Sequence, residues 1–455
     1  MADVERLFGY DIADATARTA VASMGTDVTT ILNNTEEILG ILNGITPPGG
    51  WLNNGKTNIW IELTDSDDLV YSIKPNSGKT IDWGDGSATE TSTGEIMNHT
   101  YSKIGLYVIS INGLTKIAYD FFGGWDKGNP DSAANKPKYN LTYAVKNAEI
   151  PSTVTTLEAR AFYYCTNLRS IILPTSITSV GQYNVFAYCS KLSSIALPSN
   201  ITTLAQRMFE SCSNLASITL PSSLTSIPQY MFQNCYNLRS VTIPSSVTNI
   251  EISAFQNCYN LRSITIPSSV TTIGTSAFSG CKSFSSVIIP SSVTSLGNNA
   301  FQSCSNLTSI ALPSSVTYFG GSMFSGCASL TSIVIPSGIT SISSSTFSGC
   351  ASLSSVTIPS GIQTIDTSAF ERCTSLTSIT LPSSVTKINA AAFGSCTNLS
   401  TITVLATTPP TLHSIGLPGT TYVQHIYVPA ESVETYKATN NWSTYAAKIE
   451  AIPSE

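Results

Sequence analysis

The sequence predicts a mainly β repeat protein. Eleven units of about 23 residues form a solenoid, preceded by a helical N-terminus and a small β-sandwich. Three observations carry this expectation. The 11 cysteines, from Cys165, Cys189 and Cys212 to Cys396, are spaced 24 residues apart once and 23 thereafter, and none lies outside the series. Other residues keep the same period: a Phe three before each cysteine (Phe162 to Phe393), a Leu three after it (Phe284 excepted), and a Pro nine after every one but the last (Pro174 to Pro382). Charged residues make up 11% of the 455-residue chain, against about 25% in ordinary soluble domains, and Ser and Thr fill the deficit. An odd set of cysteines at a fixed period marks a repeat position rather than a disulfide framework.

A unit this short cannot bury its own apolar face, so stacking must build one continuous core. Residues six and eight after each cysteine are apolar, mostly β-branched, and alternate at period two, as in Ile264 and Ile266, which predicts a short strand. Pro then ends it, because Pro cannot donate to a ladder. Successive strands should form a parallel sheet at ~4.8 Å per rung, roughly 50 Å in all. Phe, Leu and Cys should point inward. The extra residue between Val180 and Phe186 predicts a bulged loop. The cysteine column could bind metal or sense redox state. However, the three histidines (His99, His413, His425) lie outside the repeats, and a column of small buried thiols is the better expectation. Neither metal nor cofactor is expected.

One unit runs S-V-T-x-I-x-x-x-A-F-x-x-C-x-x-L-x-S-I-x-I-P, and residues 151–404 repeat it. It resembles the leucine-rich repeats of BspA-like surface proteins of oral and gut bacteria. The resemblance implies a right-handed leucine-rich-repeat solenoid used for adhesion or recognition, not an enzyme.

The elements before and after the repeats have their own signals. Residues 1–46 predict a helical attachment or oligomerisation segment. Val21, Met24, Val28, Ile31, Ile38, Leu42 and Ile45 form a heptad seam that two or three chains would bury, a trimer being expected. Pro47, Pro48, Gly49 and Gly50 stop the helix. Tyr10-Asp11-Ile12-Ala13-Asp14-Ala15-Thr16-Ala17-Arg18 is similar to the openings of tail-associated virion proteins from phages of gut bacteria. Met1 to Tyr10 carries Asp3, Glu5 and Arg6, so no secretory signal is expected.

In residues 57–114, runs at Trp60–Leu63, Leu69–Ile73 and Tyr107–Ile111 suit strands. Asp82-Trp83-Gly84-Asp85-Gly86-Ser87, with His99-Thr100-Tyr101 and Gly105-Leu106-Tyr107, resembles PKD-type immunoglobulin-like domains, which implies a β-sandwich spacer. Asp82 and Asp85 are better explained by turn geometry than by metal binding, and Asp65, Asp67 and Asp68 by a solvated turn. Residues 115–150, with Phe121, Phe122 and Trp125, should form the junction and N-terminal cap. In the C-terminal cap, residues 405–455, Thr421–Val428 suits a strand and Glu431–Thr439 a helix, with Trp442 and Tyr445 as apolar cover.

The net charge of −6 argues against a nucleic-acid binder. No apolar run is long enough to insert in a membrane. Between Ser263 and Ile365 the only charged residue is Lys282, whereas an active site needs positioned acids, bases or nucleophiles. Aromatic and basic residues concentrate in the early units. Tyr236 and Tyr259 share one repeat position, and Arg169, Arg239 and Arg262 share another. With Tyr163, Tyr164 and Tyr188 they are the candidate ligand-binding residues, since Tyr and Arg dominate binding hot spots. The middle of the sheet, with Ser five after ten of the cysteines and Thr401 after the last, and residues such as Thr219, Thr242 and Ala311 at plus seven, should be flat. The expectation is a non-enzymatic recognition protein. Its leading form is a phage tail-associated receptor-binding protein of the virion. It would bind a host-surface glycan or protein through the repeats and other tail proteins through its N-terminus. The alternatives are a BspA-like adhesin, on the bacterial surface or secreted, and more remotely a polysaccharide-degrading tail enzyme.

Overall fold

The computed structural model describes residues 52–63, 70–118, 121–122 and 144–453. The expected helix and heptad seam (Val21, Met24, Val28, Ile31, Ile38, Leu42, Ile45), the Tyr10–Arg18 opening, the Asp65, Asp67 and Asp68 turn and Trp125 lie outside them. Among the described residues, no helix is long and apolar enough to cross a membrane. The chain divides into two units, one reaching to Gly181 with Val185–Pro198, the other comprising Gln182–Asn184 and Ser199–Glu455.

The first unit contains strands β1 (Thr57–Leu63), β2 (Val70–Ile73), β3 (Thr80–Asp82), β4 (Glu90–Thr91), β5 (Met97–Thr100), β6 (Gly105–Asn112), β7 (Lys116–Ile117), β8 (Val145–Glu149), β9 (Thr156–Leu157) and β10 (Ser170–Ile172). A six-stranded sheet runs β10-β8-β1-β6-β3-β4, while β2 and β5 pair separately and antiparallel. Ile59, Ile61, Tyr71, Ile81, Ile109 and Ile111 are buried, as the alternating runs of β1 and β6 require.

The sheet crosses the limits expected at 114 and 150. β8 pairs antiparallel with β1 (Ile59↔Ala148) and parallel with β10 (Ala148↔Ile171). One strand therefore covers the open edge of β1 and supplies the first rung of the repeats. An uncovered edge would leave a row of unpaired backbone donors and acceptors. Buried Glu149 at the end of β8 ties the join. It accepts from Asn58 Nδ2 at 2.9 Å and from the backbone N–H groups of Leu52 and Asn53 at 3.2 and 3.0 Å. β7 likewise starts a second parallel ladder with β9 (Lys116↔Thr156), which continues to Ser179–Val180. The stretch expected as a cap thus contributes strands to the ladders, and buried Phe122 packs 5.4 Å from Phe162.

In the second unit the expected strand lies five to seven residues after the cysteine, as in Ser217–Thr219 paired with Ser240–Thr242. The exception is the repeat of Cys258, where Ile264 and Ile266 lie in no strand, so the expected continuous sheet is divided into short ladders. A second two-residue strand, not anticipated, lies further on, as in Ser226–Ile227, Asn249–Ile250, Thr272–Ile273 and Ser295–Leu296. The phenylalanines stack face to face from Phe209 to Phe393, with centroids 5.2 to 5.9 Å apart. Pro opens a tight turn in each repeat, the Val247 N–H reaching the Pro244 carbonyl at 3.0 Å. Many of the abundant hydroxyls bridge repeats. Ser246 Oγ donates to Leu224 O at 2.7 Å, and Ser269, Ser292 and Ser384 do the same one repeat apart. These bonds pair carbonyls at the turns without bringing in charge.

Where the extra residue falls, between Val180 and Phe186, Tyr183 makes an isolated bridge to Gln206, and no strand forms at residues 201–205 of the next repeat. At the C-terminus the parallel sheet gains two more strands, His425–Val428 and Ile449–Ala451. The expected helix is shorter, α1 (Val433–Ala438). Tyr436 Oη, Trp442 Nε1 and Tyr445 Oη donate to the carbonyls of Ala406, Pro410 and Pro418 at 2.7, 2.8 and 2.7 Å. These aromatics pin the irregular stretch 405–418 as well as covering it.

Candidate binding surface

All eleven cysteines are free and buried. Thiols from successive repeats donate to the Phe carbonyl of the repeat before: Cys235 to Phe209 at 3.1 Å, Cys304 to Phe278 at 3.2 Å, Cys396 to Phe370 at 3.0 Å. Burial pushes the thiols up, to about 12 for Cys350 and Cys396. Among the described residues no group of three or more His, Cys, Asp or Glu could hold a metal. Cysteine suits the column because it is small and apolar yet carries a weak donor. The donor role was not evident in the spacing.

In the second unit, Tyr236 and Tyr259 stack at 4.9 Å between centroids with 20° between planes. Lys282, at the same repeat position one unit on, places Nζ 4.3 Å from the Tyr259 centroid. Sequence reasoning did not include Lys282, although its place one after Cys281 was the available signal. A tight turn in each repeat, closed by Leu238 N–H to Cys235 O at 3.1 Å, connects this position with Arg239 and Arg262 three residues later. Asn260 Nδ2 donates to Asn237 Oδ1 at 3.1 Å within those turns. Arg239 and Arg262 are exposed, and Tyr236 is 38% exposed. Among the described residues, Arg239, Arg262 and Lys282 form no ion pair, in contrast to Arg207, which meets Glu210 at 3.0 Å.

The other candidates belong to the first unit. Tyr164 and Tyr188 stack at 4.5 Å and are half-buried. Tyr163 is 4% exposed and meets both rings edge-on. It supports their stack and presents no face of its own, contrary to its place among the expected ligand-binding residues. Tyr164 and Tyr188 adopt φ of 62° and 65°, the conformation every repeat takes one residue before its cysteine. Arg169 is exposed. The flat sheet face expected at plus seven is interrupted by Ile288 and Val334, 77% and 74% exposed.

The Asp82–Ser87 motif is a built turn. Gly84 N–H donates to Asp82 Oδ1 at 2.9 Å and Ser87 N–H to Asp85 Oδ1 at 3.0 Å. Gly84 has φ +78°, and a Cβ there would lie 2.3 Å from Val108 O. Buried Trp83 stacks on His99 at 4.7 Å, and Tyr101 Oη donates to Trp83 O. Hydrogen bonding by Ser87, then by His99, holds Asp85 down to about 2.

The family described as BspA type leucine rich repeat region matches residues 136–262, 225–350 and 322–417. A leucine-rich repeat protein from Bacteroides ovatus is 26% identical, covering 78% of this chain and 90% of that one at a TM-score of 0.59. A leucine rich cell surface protein from Faecalibacterium prausnitzii is 28% identical over 64% of this chain and 89% of that one, at a TM-score of 0.36. No curated protein matches the chain.

Proposed function

The chain belongs to the BspA-type leucine-rich repeat family, and from that premise we propose that it is a non-enzymatic recognition protein of a bacterial surface. It attaches to a host glycan or protein through Tyr236, Tyr259, Arg239, Arg262 and Lys282, with Tyr164, Tyr188 and Arg169 as a further set on the first unit. The observation that carries this reading is the stacked Tyr236–Tyr259–Lys282 column beside cations that meet no carboxylate among the described residues. Glu251 is the only carboxylate between residues 211 and 365, which favours binding over acid–base chemistry. The PKD-like module at 57–114 then holds the repeats away from the anchoring surface.

The test is attachment of the labelled chain to host epithelial cells. Tyr236→Ala with Tyr259→Ala should lower it at least tenfold while leaving the thiols unreactive in the native state. Undiminished attachment moves the site elsewhere.

A second reading is a phage tail-associated receptor-binding protein, assembled as a trimer and joined to other tail proteins through residues 1–46. The Tyr10–Arg18 segment and the heptad seam favour it. Immunogold labelling separates the two. Label on cell envelopes supports the surface reading; label on virions alone replaces it. Light scattering of the full chain against residues 46–455 tests the trimer.

A further inference from the structure

We propose that the Tyr236–Tyr259–Lys282 column takes a linear acidic polysaccharide, its anions carboxylate or sulfate. The proposal rests on this surface being the attachment site. Three features of the patch point to that chemistry. First, its groups recur once per repeat, and the β-rung spacing of ~4.8 Å is close to the length one pyranose adds to a linear glycan. A polymer lying along the stack can therefore meet equivalent groups sugar after sugar, which a folded protein surface does not offer.

Second, the side chains supply mostly donors. Tyr hydroxyls and the Asn237–Asn260 amide ladder suit sugar hydroxyls, while Arg forks and the Lys282 ammonium suit anions. Third, Lys282 is steered by the Tyr259 ring rather than by a carboxylate, with Nζ 4.3 Å from the ring centroid. Ring and cation thus form one surface, and the ammonium keeps its charge available to a ligand. The whole chain, by contrast, carries a net charge of −6. Long-range attraction does not favour a polyanion, so selectivity for one must be local. The Arg207–Tyr230 pair, at 4.1 Å, is the internal contrast. Its cation already meets buried Glu210, so it does not belong to the patch.

The experiment is isothermal titration of the full chain with polygalacturonate, chondroitin sulfate, carboxyl-reduced polygalacturonate as the neutral twin, and poly-glutamate as a polyanion without sugar rings. Binding to either acidic glycan supports the proposal. The neutral twin and poly-glutamate should each bind at least tenfold more weakly. Arg262→Gln with Lys282→Gln should weaken glycan binding by roughly tenfold to a hundredfold, the scale of one or two charge-assisted contacts. Equal binding of the neutral twin, equal binding of poly-glutamate, wild-type affinity in the double variant, or no binding to either acidic glycan overturns it. Thiol protection in the variant confirms that the fold is kept. Loss of cell attachment in the tyrosine double variant without any preference for acidic glycans would overturn this inference alone. Unchanged attachment in that variant would overturn the attachment site itself.

Discussion

The repeats from 211 to 282 and those from 283 to 365 share one interior. The Phe stack runs through both, as Phe232–Phe255 at 5.3 Å and Phe324–Phe347 at 5.7 Å, and the thiol-to-carbonyl bond recurs at 3.2 Å in Cys258 and Cys327. They part at the exposed positions. One after the cysteine stand Ser213, Tyr236, Tyr259 and Lys282 in the first region but Ser305, Ala328 and Ala351 in the second. Four after it stand Ala216, Arg239 and Arg262 against Ser285, Thr308, Thr331 and Ser354. The second region shows that the solenoid stacks without aromatics or cations at those columns. Their presence in the first therefore serves something other than folding.

The largest effect expected lies in the shared interior. Phe255→Ala and Phe324→Ala should each cost about 3–5 kcal/mol, as for other buried phenylalanines, with matching shifts of the urea midpoint. A much smaller cost at Phe324 would break the equivalence of the two regions.

The next effect is alkaline. A thiol held up to about 12 stays protonated in the folded chain, while in the unfolded chain it ionises near 9. Its contribution is complete below about pH 9 and is lost as pH rises towards 12, at about 1.4 kcal/mol per pH unit and thiol. Urea midpoints at pH 8, 9 and 10 should fall accordingly, and Cys350→Ala should make the fall shallower by one thiol's share. An unchanged slope would contradict burial of that group.

Asp85 gives the opposite limb. Its contribution is present above about 3.8 and is lost as pH falls towards 2. Asp85→Asn should remove that part of the acid dependence in a melt followed by Trp fluorescence. The smallest effect sharpens the comparison itself. Ser305→Tyr adds one ring to the column of Tyr236 and Tyr259, and stability should move by no more than about 0.5 kcal/mol. A larger loss would mean that the exposed column is not free of the fold.

The core columns were legible because burial follows the 23-residue period: Phe, Cys and Leu recur, and Phe278, Cys281 and Phe284 are fully buried. The turn at Asp82–Ser87 was legible for a similar reason, since its geometry is set within six residues. The second ladder was not, because two-residue strands such as Ser226–Ile227 are too short to show an alternation. Nor was the difference between Tyr163 and Tyr164, identical in type and adjacent in sequence. Tyr163 is buried and Tyr164 half-buried, a difference set by what packs around each ring in space.

By itself the sequence determined the repeat, its interior and the clustering of Tyr, Arg and Lys in the early units. These are periodic properties, and a period can be counted along a chain. Tertiary structure decided that β8 joins the repeats to the sheet before them, that serine hydroxyls bridge neighbouring turns, and that Lys282 completes the column on Tyr259. Those depend on which groups meet through space, and sequence spacing alone does not say which donor finds which acceptor.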